Sequence, residues 1–240
     1  MNKFLCGITL QWKLDLRNRD ILLTYYVVPL VFFFFISGIF TSINPESYKT
    51  LIPSMTIFAV TMGSIIGYPS PLVDFFSSDI KKSYIVGKIP IWTPIMNNFL
   101  SAFIHLFIVS LIILFIAPIA FNANTPSNIP VYFFALSLFI ISSLSLGTLL
   151  GILIKSTSKL TMISQFIFLP SIMLSGIMFP TNMLPSFLKN VGNLFPATWA
   201  FETMCFTDNL ELIKILPLII ITLISLFITI FKIRANQKVQ

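Results

Sequence analysis

Six stretches of this chain are continuously apolar: Ile21–Thr41, Leu51–Leu72, Trp92–Phe121, Ile129–Ile154, Leu160–Phe179 and Leu212–Phe231. About 20 mainly apolar residues suffice for a helix to cross the hydrocarbon of a bilayer. Only helices and closed barrels satisfy every backbone group there. These runs are long and show no apolar-polar alternation, which excludes barrel strands. The chain is therefore expected to be an all-α membrane protein of six transmembrane helices. Only 10% of its 240 residues are charged. Soluble domains carry about 25%, so this chain cannot cover itself against water.

The basic residues set the expected orientation. Lys3, Lys13, Arg17 and Arg19 precede the first span, and Lys81, Lys82 and Lys88 lie between the second and third. Lys155 and Lys159 flank the turn between the fourth and fifth, and Lys232, Arg234 and Lys238 end the chain. These are twelve of the fifteen basic residues; Lys49, Lys189 and Lys214 fall on the other side. By the positive-inside rule both termini are cytoplasmic. The net charge of +7 thus belongs to membrane edges, not to a nucleic-acid face. No cleavable leader is expected, because the first twenty residues are polar and the apolar run after them is too long for one. Residues 1–240 read as one transmembrane domain. Its parts are an interfacial helix at 1–20, a cytoplasmic loop at 73–91 and an outer-face helical lid at 180–211.

The eight acidic residues all lie in loops or at span edges in the sequence, and no Lys or Arg sits deep in a span. Such charges cost about 2.5–3.5 kcal/mol at a helix centre and are kept mainly for function. Their absence argues against an ion-coupled carrier and an intramembrane hydrolase. His105 is the one ionisable candidate at depth; without an orienting acid it reads as a polar packing residue before a proton relay. Cys6 and Cys205 lie far apart and form no disulfide or metal pattern. No G-x-x-x-x-G-K-[ST] phosphate loop is present. No catalytic, metal or directly bound cofactor residue is expected. Energy for active transport would then have to enter from outside, through the cytoplasmic loops.

Two segments suit that entry. In "VDFFSSDIKKSYIVGKIPIW" (73–92), Phe76, Ile80 and Tyr84 recur every four residues, predicting a short amphipathic helix that stops at Gly87 and Pro90. One apolar side with mixed charge from Asp79, Lys81 and Lys82 suits docking on a partner; lysines that only anchor topology would not need that apolar content. At the N-terminus, Phe4, Leu5, Ile8, Trp12 and Leu16 share one helical face, with Lys3, Gln11 and Lys13 off it. This predicts a helix in the headgroup plane with Trp12 as its anchor.

Gly63/Gly67 and Gly147/Gly151 are spaced four apart, which reads as ordinary close helix packing before a dimer motif. Pro29, Pro53, Pro118, Pro170 and Pro217 fall in or near spans, where neighbouring helices can satisfy the freed backbone groups. The stretch "LSGIMFPTNMLPSFLKNVGNLFPATWAFE" (174–202) leaves a span at Phe179-Pro180 yet stays half apolar. Leu184, Phe187, Leu188, Val191, Leu194 and Phe195 keep helical spacing between Pro180 and Pro196, opposite Ser186, Lys189, Asn190 and Asn193. Too short to span and too apolar for water, it should dip into the outer leaflet or cap the bundle, with Trp199 at interfacial depth. A structural cap and a lid over an exit route both fit.

This stretch resembles the signature of type-2 ABC exporter permeases, in which a span ends in S-G-x-x-F-P before an aliphatic-Pro turn, a short helix and a further Phe-Pro step. The matching residues are Ser175, Gly176, Phe179, Pro180, Leu184, Pro185, Phe195 and Pro196. Lys81, Lys82 and Pro90 match loosely the family's basic segment after the second span. The six-span plan, the N-terminal helix and the length agree over nearly the whole chain.

The resemblance implies a permease subunit in a cell membrane, the bacterial plasma membrane. It would pair with a second permease chain, identical or related, above two separate nucleotide-binding subunits that hold ATP and Mg. The segment of Phe75, Phe76, Asp79, Ile80, Lys81, Lys82 and Tyr84, with the N-terminal helix, would transmit the ATPase motion. Phe58, Met62, Phe166, Phe168 and Met173 on the second and fifth spans would line the translocation cavity. Phe179, Pro180, Phe187, Phe195 and Trp199 would form the outer gate. An amphipathic substrate (drug, peptide, lipid or lipid-linked glycan) would move outward by alternating access. The competing readings are an ATP-independent carrier or channel built on His105, and a membrane scaffold without transport.

Overall fold

The computed structural model describes the main chain of residues 3–43, 45–205 and 212–238, and side chains except at 1–6, 43–46, 182, 206–212 and 235–240. Among the described residues all regular structure is helical. Helix α1 (Lys3–Arg17) leads into a first span over Arg19–Ser42. That span is wound as α2 (Arg19–Leu22), a π turn at Leu23–Val27 and α3 (Val28–Ile43). The second, Leu51–Ser77, repeats the plan with α4 (Leu51–Met62), a π turn at Gly63–Gly67 and α5 (Pro69–Ser77). A short α6 (Ile80–Val86) precedes the long α7 (Trp92–Phe121) and α8 (Ile129–Leu153). Then come α9 (Thr157–Leu174), α10 (Ser186–Gly192), α11 (Pro196–Cys205) and α12 (Leu212–Lys238).

Proline explains both π turns. Each turn ends two residues before a proline, just ahead of Val28-Pro29 and Tyr68-Pro69. A proline ring clashes with the carbonyl four residues back and offers no N–H to it. The wider winding relieves this: Val28 N–H reaches Leu23 O, and Tyr68 N–H reaches Gly63 O at 2.8 Å. The two π turns pack on each other. Tyr25, 1% exposed, fills the crossing, and a Cβ at Gly67 would stand 2.9 Å from its ring.

The second span is the centre of the bundle: 89% of its most apolar window is buried, against 28% for the first span and 22% for the last. Gly63 stands against Leu106 of α7 and Ser64 against Gly147 of α8, close approaches of the kind that small residues allow between membrane helices. Gly147 and Gly151 of α8 face Ser64, Tyr68, Pro69 and Leu72, so this spacing serves packing within the chain. Two hydroxyl bridges add direction, Thr56 to Tyr132 at 3.0 Å and Tyr68 to Thr148 at 2.9 Å. The sparsely buried first and last spans present Phe35, Ile39, Phe227 and Phe231 outward, as lipid-facing helices do.

Among the described residues five helices meet both the length and the hydropathy of a membrane span. The expected fifth stretch does not join them. Helix α9 has 18 residues, includes Lys159 and Gln165, and ends at Leu174 instead of Phe179. Gly176, with φ +92, turns the chain there; only glycine adopts that backbone without strain.

Candidate functional site

At one end of the bundle, α5 and α6 form an aromatic hinge. Phe75 is buried at the end of α5 and stacks edge-on with Phe76 and with Tyr84 of α6, each at 5.2 Å between ring centroids. The expected single amphipathic helix through Phe76, Ile80 and Tyr84 is two pieces. Ser78 takes an extended backbone (φ −101, ψ 171) that closes α5, and α6 begins after Asp79. Lys88 closes that segment in the left-handed region, at φ 53. Helix α6 buries no residue, leaving Ile80, Ile85 and Val86 exposed beside Lys81 and Lys82. The Asp79–Lys82 ion pair at 2.8 Å is fully exposed. Lys82 holds the Asp79 carboxyl below its ordinary range, but solvent screens such a pair and it secures little.

Of the expected apolar face of α1, Ile8 and Trp12 turn toward the bundle and Leu16 does not. The expected apolar face ran through Phe4, Leu5, Ile8, Trp12 and Leu16. Phe4 and Leu5 have side chains outside the described residues, and Leu16 is 42% exposed. The face turned toward the bundle carries Gly7, Ile8, Gln11, Trp12 and Asp15, packed on α7. Trp12 packs toward the bundle: its indole lies 6.0 Å from the His105 ring and its Nε1 is buried. Asp15 is 2% exposed and accepts hydrogen bonds from Gln11 Nε2 at 2.8 Å and from Ser101 Oγ. The carboxylate placed at a span edge by the sequence is thus enclosed by the fold. The reason is that α7 offers Ser101 and His105 as polar partners, so the inward face need not be apolar. Two i, i+4 polar pairs, Gln11/Asp15 and Ser101/His105, were the available signal.

Burial raises the Asp15 pKa above its ordinary value, outweighing its two hydrogen bonds. In the unfolded chain the group ionises near pH 3.9. Between that value and the raised folded one, the folded chain holds the proton more tightly. Stability from this group is therefore greatest at low pH and falls as pH rises through the window. Asp15→Asn is expected to remove that slope, as read by thermal melts of detergent-solubilised protein from pH 4 to 8.

The expected cavity residues separate into two groups. Phe58 is 4% exposed, covered by the rings of Phe32 at 5.3 Å and Phe168 at 5.6 Å, and Met62 is half-buried. Phe166 is 78% exposed and Met173 48%, on an outer face of α9 with Met162 and Leu169. A groove of about 270 Å³ there is lined by Met162, Gln165, Phe166, Leu169 and Pro170.

At the opposite end, α10 abuts the end of α9; a Cβ at Gly192 would stand 2.7 Å from Leu174 O. Helix α11 is inserted among α4, α8, α9 and α12, with Pro196, Ala197, Thr198, Ala200, Thr203 and Met204 buried. Trp199 Nε1 donates to Asn193 O at 2.8 Å and Thr198 Oγ1 to Gly192 O at 2.6 Å, tying the two helices. Of the expected gate, Phe179, Pro180 and Phe187 are exposed, and Phe195 and Trp199 are half-buried. A cleft of about 480 Å³ beside them is lined by Thr50, Gly176, Pro180, Thr181, Phe201, Glu202 and Lys214. Residues 206–211 of the expected lid lie outside the described residues.

Among the described residues no three His, Cys, Asp or Glu side chains gather where a metal could sit. Comparison with curated proteins gives no match. Residues 4–208 match the family described as ABC-2 type transporter, a span that takes in α1, the aromatic hinge and both short helices α10 and α11. The chain belongs to the ABC-2 type transporter family: it is a multi-pass membrane permease subunit of an ABC transporter, of the kind that works with an ATPase subunit.

Proposed function

We propose that this permease is the six-span membrane subunit of an exporter, driven from its basic face by separate nucleotide-binding subunits that carry ATP and Mg. Helix α9, at about 27 Å for 18 residues, is close to the hydrocarbon thickness of about 30 Å. It packs on α4 and α5 and would be the fifth crossing. Both termini, α1 and the α5–α6 hinge would then share the cytoplasmic face of a bacterial plasma membrane, where twelve of the fifteen basic residues lie.

The observation that carries this reading is α6: a helix with no buried residue, on which exposed Ile80, Ile85 and Val86 stand beside Lys81 and Lys82, and whose described ring contact to α5 is Tyr84 on Phe75. A segment so exposed gains stability from a partner, and a groove on an ATPase subunit fits its size and mixed character. The exposed α9 face supports a second permease chain, since Gln165 is poorly suited to lipid but suits an interface or a wet cavity. Met162, Phe166, Leu169 and Met173 around it suit an amphipathic substrate, and the cleft at Glu202 and Phe201 lies on its way out.

Assembly tests the reading. Ile80→Glu with Val86→Glu should leave the chain folded and membrane-inserted but reduce co-purification of the nucleotide-binding subunit at least tenfold. Undiminished co-purification would contradict it.

A further inference from the structure

Helix α1 is keyed into α7 by polar groups that leave it little freedom to slide. Asp15 takes hydrogen bonds from Ser101 of α7 and from Gln11 of its own helix. One turn along α7 from Ser101, His105 is 0% exposed and faces Trp12, one turn before Asp15. His105 Nδ1 lies 2.7 Å from Tyr26 Oη, in the π turn of the first span. His105 Nε2 and Trp12 Nε1 are both buried without a hydrogen-bond partner.

These two atoms complement each other. An indole N–H only donates, and an imidazole nitrogen accepts only when the other nitrogen carries the proton. With Nδ1–H donating to Tyr26 Oη, Nε2 is left as an acceptor, the chemical complement of the unpaired Trp12 N–H on a ring whose centroid lies 6.0 Å away. At the other end of α1, a Cβ at Gly7 would meet Asn97 Nδ2 at 2.5 Å, so the helices touch there too. A shift of α1 by one residue would break the Asp15 bonds and misplace Trp12, leaving buried polar groups without partners.

We infer that α1 and α7 move as one rigid lever, with Asp15, Ser101, Trp12 and His105 as positioning residues that pass motion from the basic face into the third span and, through Tyr26, into the first. This rests on the reading that a separate ATPase drives the chain from that face. Sequence placed α1 in the headgroup plane, where it would drift independently of α7; the lever is the opposite behaviour.

A cysteine pair tests it. In a background with Cys6→Ser and Cys205→Ser, Gly7→Cys and Asn97→Cys would report on the α1–α7 register within the assembled complex. The disulfide should form to the same yield without nucleotide and with ATP and vanadate. The oxidised complex should keep at least half its ATP hydrolysis. Adding Asp15→Leu or Trp12→Phe should lower the cross-link yield at least threefold, whereas Asp15→Asn, which keeps an acceptor for Ser101, should retain it. A yield that changes with nucleotide, or hydrolysis that falls tenfold on oxidation and returns with reductant, would overturn the lever. So would yields indifferent to Asp15→Leu and Trp12→Phe. Failure of the unaltered chain to bind any ATPase contradicts the transport reading instead, and the substitution series in the isolated chain then still decides the lever.

Discussion

Alanine at position 147 should cripple the protein although it adds a single methyl group. The new Cβ would lie 2.2 Å from Ser64 O and 2.8 Å from Tyr68 Cδ1. The first neighbour is backbone and cannot rotate away. Alanine gains about 1 kcal/mol over glycine in helix propensity. Overpacking of a tight core costs about 1–3 kcal/mol, and a main-chain collision sits at or above the top of that range. The collision therefore wins, and α8 must back away from the π turn at Gly63–Gly67. That retreat also opens the Tyr68–Thr148 hydrogen bond of 2.9 Å. Gly147→Ala is expected to lower the melting midpoint in detergent and the yield of monodisperse protein. Gly38→Ala is the control: nothing lies within 4 Å of its Cβ, so it should be neutral or mildly stabilising. Equal melting of the two variants would refute the close-packed crossing.

Truncation of Phe75 should uncouple the hinge. Its ring is 7% exposed and is the only described aromatic bridge between α5 and Tyr84 of α6. Phe→Ala in a packed site costs about 3–5 kcal/mol. Here the loss falls on a local joint, because α6 itself buries nothing. Phe75→Ala should leave the bundle folded and the ATPase subunit bound. Transport per ATP hydrolysed should fall at least tenfold, since α6 would swing without moving α5. Tyr84→Phe keeps the ring and should keep coupling. Wild-type transport by Phe75→Ala would show that motion enters elsewhere.

The sequence made the spans legible because lipid imposes a simple demand, long apolar runs with charge at the edges. Boundaries slipped where backbone chemistry intervened: the second span runs on to Ser77, and α9 stops at the positive φ of Gly176. The π turns before Pro29 and Pro69 follow from local geometry once the helix is known to continue through each proline. The segment after α9 forms the short helices α10 and α11. Its insertion was not foreseen, because the buried face of α11 is made of Ala197, Thr198, Ala200 and Thr203, residues too small to announce burial. The inward face of the N-terminal helix extends beyond its apolar residues to Gln11 and Asp15 for a related reason. An apolar-face rule assumes an apolar partner, and α7 presents Ser101 and His105. The cavity residues were placed by resemblance; Phe58 is covered within its own chain while Phe166 is open, a distinction that depends on tertiary packing.

The central claim is that this permease has no engine of its own and is driven by a separate ATPase. The most direct measurement is flux in sealed vesicles holding the chain alone or with its nucleotide-binding subunit, against a panel of dyes, peptides and lipids. The account predicts no uphill movement by the chain alone, with or without an ion gradient, and ATP-dependent movement of at least one panel member by the complex. Uphill movement by the chain alone, lost in Asp15→Asn or His105→Ala, would contradict it and make the buried Asp15 and His105 an ion-coupling pair.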